Sequence, residues 1–343
     1  MSQADSGTAT FSGLLDLLGE SMGGRALATN DEFFAEASNL VKPGRGIFDP
    51  DRYTDRGKWM DGWESRRKRG PGYDWCILEL GVPGIIRGLD IDTNHFLGNH
   101  APYASVEVAT LAPGEGIEKA VWKEILTQSA LRAGSQNLFS VQSEEVATHV
   151  RLNIFPDGGV ARFRVFGDVH TDWSDSTDDL DEEIKGRRKP GEVDLVAARH
   201  GGLALACSDM FFSSMNNLIL PGRAANMGEG WETRRRRGPG FDWVLIRLSH
   251  PGEIHWMEIS THHYKGNYPD TCMIEAIHAP GERVTDLLTA DWKPILEPLK
   301  LEADDRRFVQ DELIDLGTVT HLRLNIYPDG GISRFRAYGK VSD

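Results

Sequence analysis

Two blocks of polar residues with reactive side chains each occur twice in this chain. Residues 62–75 read GWESRRKRGPGYDW and residues 230–243 read GWETRRRRGPGFDW. Eleven of the fourteen positions are identical, and the other three exchange Ser for Thr, Lys for Arg and Tyr for Phe. Residues 151–167, RLNIFPDGGVARFRVFG, recur as 323–339, RLNIYPDGGISRFRAYG. A shorter element places His95 ahead of Gly98-Asn99 and His263 ahead of Gly266-Asn267. Together these supply guanidinium forks, carboxylates, imidazoles and carboxamides, a set suited to holding a small anion and moving protons beside it.

In the second block, strand alternation separates two faces. Leu152, Ile154, Phe163 and Val165 form the core face, and Arg151, Asn153, Arg162 and Arg164 point the other way. With Pro156-Asp157-Gly158-Gly159 read as the turn of a hairpin, Asn153 is expected opposite Arg162 and Arg151 opposite Arg164. Three guanidinium groups and one amide would then share one patch. Like charges facing each other are unfavourable, so the patch needs an anionic partner. That partner is either a set of protein carboxylates in an ion-pair network or a ligand bearing a carboxylate or ureido group. The second copy offers Arg323, Asn325, Arg334 and Arg336.

The first block carries four consecutive basic residues. Such a run reads elsewhere as a nucleic-acid patch or a nuclear address, and its ordinary fate is a solvated loop. Here it sits in a longer repeated frame of Trp, Glu, Gly and Asp, in a chain of net charge −14. The functional reading makes Arg66, Arg67, Arg234 and Arg235 substrate-binding groups. Glu64 and Glu232 precede the first Arg by two residues, so they either pair with it or act as acid and base. Asp74 and Asp242 open the following strand and cap the turn. His95 and His263 are expected to end a strand antiparallel to the one starting at Asp74 or Asp242. That places His95 with Asn99, and His263 with Asn267, beside the basic loop. The blander reading of His95 is a buried, hydrogen-bonded core histidine, since it is in phase with Leu89 and Ile91.

The elements that must position these groups read as short strands. Gly and Pro recur at short intervals, and the runs between them are rich in β-formers. Asp74–Leu80 and Ile85–His95 both alternate. The expected fold is all-β, with two tandem jelly-roll sandwiches made by an internal duplication. The offsets of 168 and 172 residues between copies are those of a whole domain, too long for a solenoid unit. We read residues 1–15 as a polar tail, 16–172 as the first repeat, 173–193 as a charged linker with a short helical piece, and 194–343 as the second repeat. Sixteen residues separate Arg45 from Gly62 and only six separate Arg223 from Gly230, so the first copy carries an insertion. The copies also differ where Asp92 meets Ser260 and Asn94 meets His262, so one copy is a candidate scaffold.

Composition narrows the partners. The 343 residues are 40% hydrophobic and 26% charged, as in globular domains. The acidic balance argues against nucleic acid, and no apolar run approaches the ~18 residues of a membrane span. A basic start followed by an apolar run is missing, so no signal peptide is expected. Three cysteines, Cys76, Cys207 and Cys272, do not make a disulfide framework. A cytoplasmic protein with free thiols is the expectation. No HExxH, CxxC, G-x-S-x-G or Gly-rich phosphate loop is present, so neither metal nor cofactor is identifiable. The adjacent His262 and His263, read as strand residues, point to opposite faces and make a poor chelate.

The GWE(S/T)RR-RGPG-DW block, the His-x2-Gly-Asn element and the RLNI(F/Y)PDGG-RFR-G block together resemble the allantoicase family. The resemblance spans nearly the whole chain, in both repeats and in the family's order. It implies a tandem pair of galactose-binding-like jelly rolls, hydrolysis of allantoate to ureidoglycolate and urea in purine degradation, and a homo-oligomer. The competing class is a non-catalytic jelly-roll module that binds a small anion or sugar.

Overall fold

Each copy is organised around one long strand. In a computed structural model of the chain, which describes residues 10–171 and 181–342, the strand Asp74–Asp92 runs for 19 residues. Its counterpart Asp242–Ser260 has the same length. The sequence suggested two separate antiparallel strands here; the structure joins them into one. The join lies at Gly81-Val82-Pro83-Gly84, where the pairing register with Val146–Phe155 shifts between Glu79 and Gly84. Pro83 has no N–H to give a ladder. Gly84 is required because its backbone lies against a neighbour, and a Cβ there would sit 2.5 Å from the Asp168 carbonyl oxygen.

The two halves of this strand serve different neighbours, all antiparallel. The first half pairs with Arg25–Thr29 on one edge and Val146–Phe155 on the other. Tyr103–Ala109 and Lys123–Ala130 extend that side. The second half pairs with Arg162–Val169, then Leu15–Asp16, and with Leu138–Ser140 on its other edge. The result is a jelly-roll β-sandwich whose layers share one strand. Leu78, Leu89, Ile91, Val106, Leu152, Ile154, Phe163 and Val165 fill its interior, all fully buried. The second unit repeats the order around Asp242–Ser260. The chain divides into two such units after Thr171.

This topology corrects the hairpin. Val146–Phe155 and Arg162–Val169 do not pair with each other; each pairs with a different half of Asp74–Asp92. Asn153 lies opposite Trp75 and Ser105, and Arg151 opposite Ile77 and Glu107. Arg162 lies opposite Asp92, and Arg164 opposite Asp90. The second copy does the same, with Asn325 opposite Trp243 and Met273, Arg323 opposite Leu245 and Glu275, Arg334 opposite Ser260 and Arg336 opposite Glu258. The physical reason is that the PDGG stretch is not a tight turn. Its Gly159-Val160 pairs with Trp63-Glu64 and carries the chain from one layer to the other.

His95 also departs from expectation. The strand ends at Asp92, and His95 sits beyond it in the left-handed region, φ 67°, as does His263, φ 72°. Neither is in phase with the core. Residues 1–9 of the expected tail and 173–180 of the expected linker lie outside the described residues. Phe11 is buried, 5.9 Å from the ring of Phe166. Residues 181–193 pack onto the second repeat. Asp181 caps the short helix Glu182–Arg187 by accepting from the Ile184 amide at 3.1 Å. Ile184 is buried against Trp256 and Tyr338. All three cysteines are free. Thr29 pairs with Cys76 as Cys207 pairs with Val244, so the first two occupy facing positions of one ladder.

The crossing at Gly159 leaves no room for a side chain. A Cβ there would lie 2.0 Å from the fully buried Phe96 ring, and one at Gly331 would lie 1.9 Å from Tyr264. Gly159→Ala and Gly331→Ala should each destabilise by about 1–3 kcal/mol through overpacking. An earlier denaturant midpoint for each variant is the expected observation.

Candidate functional site

Three of the repeated motifs meet at one junction in each copy. Trp63 is fully buried and donates its indole N–H to the Asp31 carbonyl at 2.8 Å. This fixes the short strand Trp63–Glu64 against Gly159-Val160. The Asn99 carbonyl accepts from the Gly159 amide at 2.8 Å, and the Asn99 side-chain amide donates to Glu64 Oε1 at 2.8 Å. Burial pushes the Glu64 carboxyl above its ordinary range, against the opposing bond from Asn99. The second copy is built alike. Asn267 donates its side chain to Glu232 and accepts from the Gly331 amide at 2.8 Å. The structure therefore brings Glu64 to Asn99 and Glu232 to Asn267.

The basic run splits into held and free members. Arg66 pairs with Asp31 at 2.7 Å, not with Glu64, and lies over Phe33. Arg234 binds Asp209 through its backbone amide at 2.6 Å and lies 4.2 Å over Phe211. Lys68 and Arg236 turn inward to the buried Asp74 and Asp242, and their amides donate to Asp157 and Asp329 at 2.8 Å. Asp74 and Asp242 thus clamp the loop. Arg67 and Arg235 are exposed and have no bonding partner among the described residues.

The expected arginine patch is not a single patch. Arg151 pairs with Glu107 and lies over Trp122, while Asn153 donates to Ser105 and the same Glu107. Arg323, Asn325, Glu275 and Trp292 repeat that network. Arg162 is buried and pairs with Asp61 at 2.9 Å. Arg164 donates to the carbonyls of Val41, Lys42 and Gly44, with Asp16 at 3.6 Å. Arg336 donates to Leu218, Leu220 and Gly222, with Asp194 at 3.4 Å. Five of these six arginines thus face an internal carboxylate.

Arg334 is the exception. It is 6% exposed and donates to three carbonyls, Gly222 at 3.1 Å, Glu229 at 2.6 Å and Ser333 at 2.8 Å. Among the described residues no carboxylate oxygen lies within 4 Å of its guanidinium. Burial, with Arg336 adding to it, pulls its pKa down to about 10. Glu229 stands where the first copy has Asp61, but its carboxylate binds the Ala225 amide and the Asn226 side chain instead.

Arg334 lines a cavity of about 410 Å³ in the second repeat, within the size range of small-molecule sites. Its wall also carries Arg223, Arg306, Glu258, Ser260 and His262. The first copy differs at this place. There Asp92 binds Arg45 through two bonds of 2.7 and 3.0 Å, and Asp90 accepts from Gln136 at 2.6 Å. In the second copy Ser260 replaces Asp92, and Arg306 stands opposite it in the ladder. Arg306 binds Glu258 at 2.6 Å and Asp181 at 2.9 Å. Arg223 reaches the same Asp181 at 3.7 Å.

His262, dismissed from the sequence, has the more favourable geometry for proton transfer. Its Nδ1 lies 3.0 Å from Asp304 Oδ1, and burial lowers its pKa, with His263 and Arg223 adding and Asp304 opposing. The His263 ring lies 4.0 Å from it, tilted by 44°, and uses its own Nε2 on the Ala224 carbonyl at 2.9 Å. His95 is exposed with its ring 5.7 Å from Phe48, and no bond joins it to Glu64 or the basic loop. Sequence reasoning also missed Glu258, Asp304 and Arg306. The available signal was the pair of differences at 260 and 262 inside an otherwise repeated frame. Among the described residues, no group of three His, Cys, Asp or Glu side chains is placed to hold a metal ion.

The model of the allantoicase repeat matches residues 15–170 and again 193–342. The chain belongs to the allantoicase family. It is 44% identical over 336 residues to a probable allantoicase of Pseudomonas fluorescens, covering 97% of this chain and 98% of that protein. It is 45% identical over 335 residues to a probable allantoicase of Photobacterium profundum, with the same coverage. The crystal structure of allantoicase from Saccharomyces cerevisiae superposes with a TM-score of 0.78 at 33% identity, covering 95% of this chain and 92% of that one. Within this allantoicase-family chain, the two repeats are alike at the Glu–Asn junction and unlike at the cavity.

Asp90 gives a test of the first repeat's electrostatics. Burial raises its carboxyl from 3.8 to about 6. The folded state therefore holds the proton more tightly than the unfolded chain, and stability falls as pH rises from about 4 through about 6. Asp90→Asn mimics the protonated form and can still accept from Gln136. Its melting temperature should exceed the parent's at pH 7.5, by the equivalent of roughly 3 kcal/mol, and the gain should vanish near pH 4. Calorimetry at the two pH values measures this.

Proposed function

We infer that this protein is a hydrolase that converts allantoate and water to ureidoglycolate and urea, a step of purine degradation. The observation that carries the reading is the match of both repeats to the allantoicase family over nearly the full length of the chain. Chemistry agrees with it. Allantoate bears a carboxylate and two ureido groups on one carbon. Releasing urea requires a cationic seat for the carboxylate, a proton for the leaving nitrogen and a base for water.

Glu64 and Glu232 are the proton-transfer groups that we propose first, because each is half-buried and oriented by an asparagine. His95 and His263 are the second pair. Arg67 and Arg235, exposed, three residues past the glutamates and without a bonding partner among the described residues, are the proposed contacts to the ureido oxygens, while Arg66 and Arg234 are held by Asp31 and Asp209. The cluster arginines other than Arg334 have internal counter-ions, which favours a structural role for them. Homo-oligomeric assembly rests on the family resemblance. A cytoplasmic site of action rests on the free thiols. A non-catalytic anion-binding module is the less favoured reading. Among the described residues, no helix is long and apolar enough to cross a membrane.

Incubating the purified protein with allantoate should release urea at a rate proportional to enzyme. Glu64→Gln, Glu232→Gln, His95→Ala and His263→Ala then sort the candidates by steady-state kinetics. Loss of a working acid or base lowers kcat by about 10²–10⁴. Wild-type turnover in all four folded variants would remove these residues from the chemistry.

A further inference from the structure

The two copies of this fold carry the same cleft with opposite wiring. In the first copy each cation of the cleft has an acidic or carbonyl partner built into the repeat. Asp92 neutralises Arg45, and Asp61 neutralises Arg162. In the second copy both counter-ions have been withdrawn. Ser260 holds no charge, and the Glu229 carboxylate points away to Ala225 and Asn226. Arg223 takes a partner from outside the sheet, the Asp181 carboxylate, and Arg306 binds that carboxylate together with Glu258 of the sheet. Arg334 recovers none.

The arginine left over is not disordered by its lack of a partner. Three carbonyls hold Nε and Nη1, so the plane of the fork is fixed, while Nη2 makes no hydrogen bond among the described residues. A buried donor fixed in place and facing a cavity is a poor structural solution. It is a good solution for an incoming carboxylate, whose oxygens match that fork. The cavity wall carries five basic side chains, Lys185 and Arg223, Arg306, Arg334 and Arg336, against two acidic ones, Asp181 and Glu258. The His262 ring opens onto the same cavity with Nδ1 occupied by Asp304, so Nε2 is its remaining nitrogen.

We propose that the second repeat alone seats the substrate, with its carboxylate on Arg334 and the His262–Asp304 pair as the proton carrier, and that the first repeat is a closed scaffold. This rests on the hydrolase reading and chooses within it: Glu64 and His95 then belong to the scaffold repeat, and His262 takes the proton-transfer role offered above to Glu232 and His263. His262 Nε2 takes one proton from water as the water oxygen bonds to the central carbon. The bond from that carbon to one ureido nitrogen breaks, and its electron pair stays on nitrogen. The imidazolium returns the proton to that nitrogen, which leaves as urea. The carbon keeps the hydroxyl as ureidoglycolate, so atoms and charge balance with water as the sole co-reactant. Glu232 lies three residues beyond Glu229, whose carbonyl holds Arg334, so the seat and the Glu–Asn junction of this repeat are adjacent along the chain.

The test places a carboxylate at position 260, which lies opposite Arg334 in the ladder. Ser260→Asp gives the second repeat the carboxylate of the first, and Ser260→Asn adds the same bulk without the charge. Binding of allantoate is read by calorimetry, turnover by urea release and folding by circular dichroism. Ser260→Asp should weaken binding and raise KM at least tenfold, with Ser260→Asn losing clearly less. His262→Asn, which copies position 94 of the first repeat, should lower kcat at least a hundredfold with KM within about threefold. Equal effects of Asp and Asn, or wild-type kinetics in Ser260→Asp and His262→Asn, would overturn the proposal while leaving the hydrolase reading intact. Absence of urea release by the wild-type protein would instead overturn the hydrolase reading, and the calorimetric comparison would still decide whether Arg334 seats a carboxylate.

Discussion

Everything in each repeat hangs on a strand that is too long for one layer. Nineteen extended residues span about 60 Å at ~3.3 Å per residue, beyond the depth of an ordinary sheet of about 20 Å strands. The strand solves this by bending at a Pro-Gly corner, Pro83-Gly84 in one copy and Pro251-Gly252 in the other, and giving each half its own neighbours. Two glycine-lined approaches follow from that bend, Gly84 on Asp168 and Gly252 on Lys340. The bend also decides where polar groups go. Strands that follow each other in sequence, Val146–Phe155 and Arg162–Val169, end in different layers because each joins a different half.

The crossing between layers is where the repeated motifs earn their length. Gly159 must pass over Phe96 with no side chain, Trp63 must plug the space beneath, and Glu64 and Asn99 emerge at the edge of that plug. Much of what looks like catalytic sequence is therefore architectural. The inner members of the basic run, Lys68 and Arg236, neutralise Asp74 and Asp242, which are 1% exposed and would otherwise be uncompensated. Arg151 with Glu107 and Arg323 with Glu275 are likewise closed pairs.

This explains what the sequence made legible. The duplication, the β class, the core face of Leu152, Ile154, Phe163 and Val165, and the junction of Glu with Asn followed from repeated spacing and alternation. The arginine patch did not, because alternation assigns a face within a strand and says nothing about which strand lies beside it. The PDGG stretch resembles a turn, yet Gly159-Val160 pairs elsewhere. His262 was set aside by the same rule applied beyond its range. The strand ends at Ser260, and His263 at φ 72° turns its ring back toward His262, so the two imidazoles meet at 4.0 Å and do not diverge. The difference between Asp92 and Ser260 was visible, but its meaning depended on Arg334, and the distance of Arg334 from any carboxylate is a property of three dimensions.

The asymmetry between the copies also follows from where a counter-ion is anchored. Asp92 is 1% exposed in its strand, so Arg45 is paired by the sheet itself. In the second repeat Asp181 reaches Arg223 only loosely, at 3.7 Å, from a segment outside the sheet, and shares Arg306 with Glu258. Moving the acid outward preserves part of the charge balance while opening the volume beside the strand end. The three carbonyl bonds of Arg334, at about 1.5–3 kcal/mol each, are comparable with the several kcal/mol that burying a guanidinium costs. An anion on Arg334 would add the charge pairing that Asp61 already gives Arg162 in the first repeat.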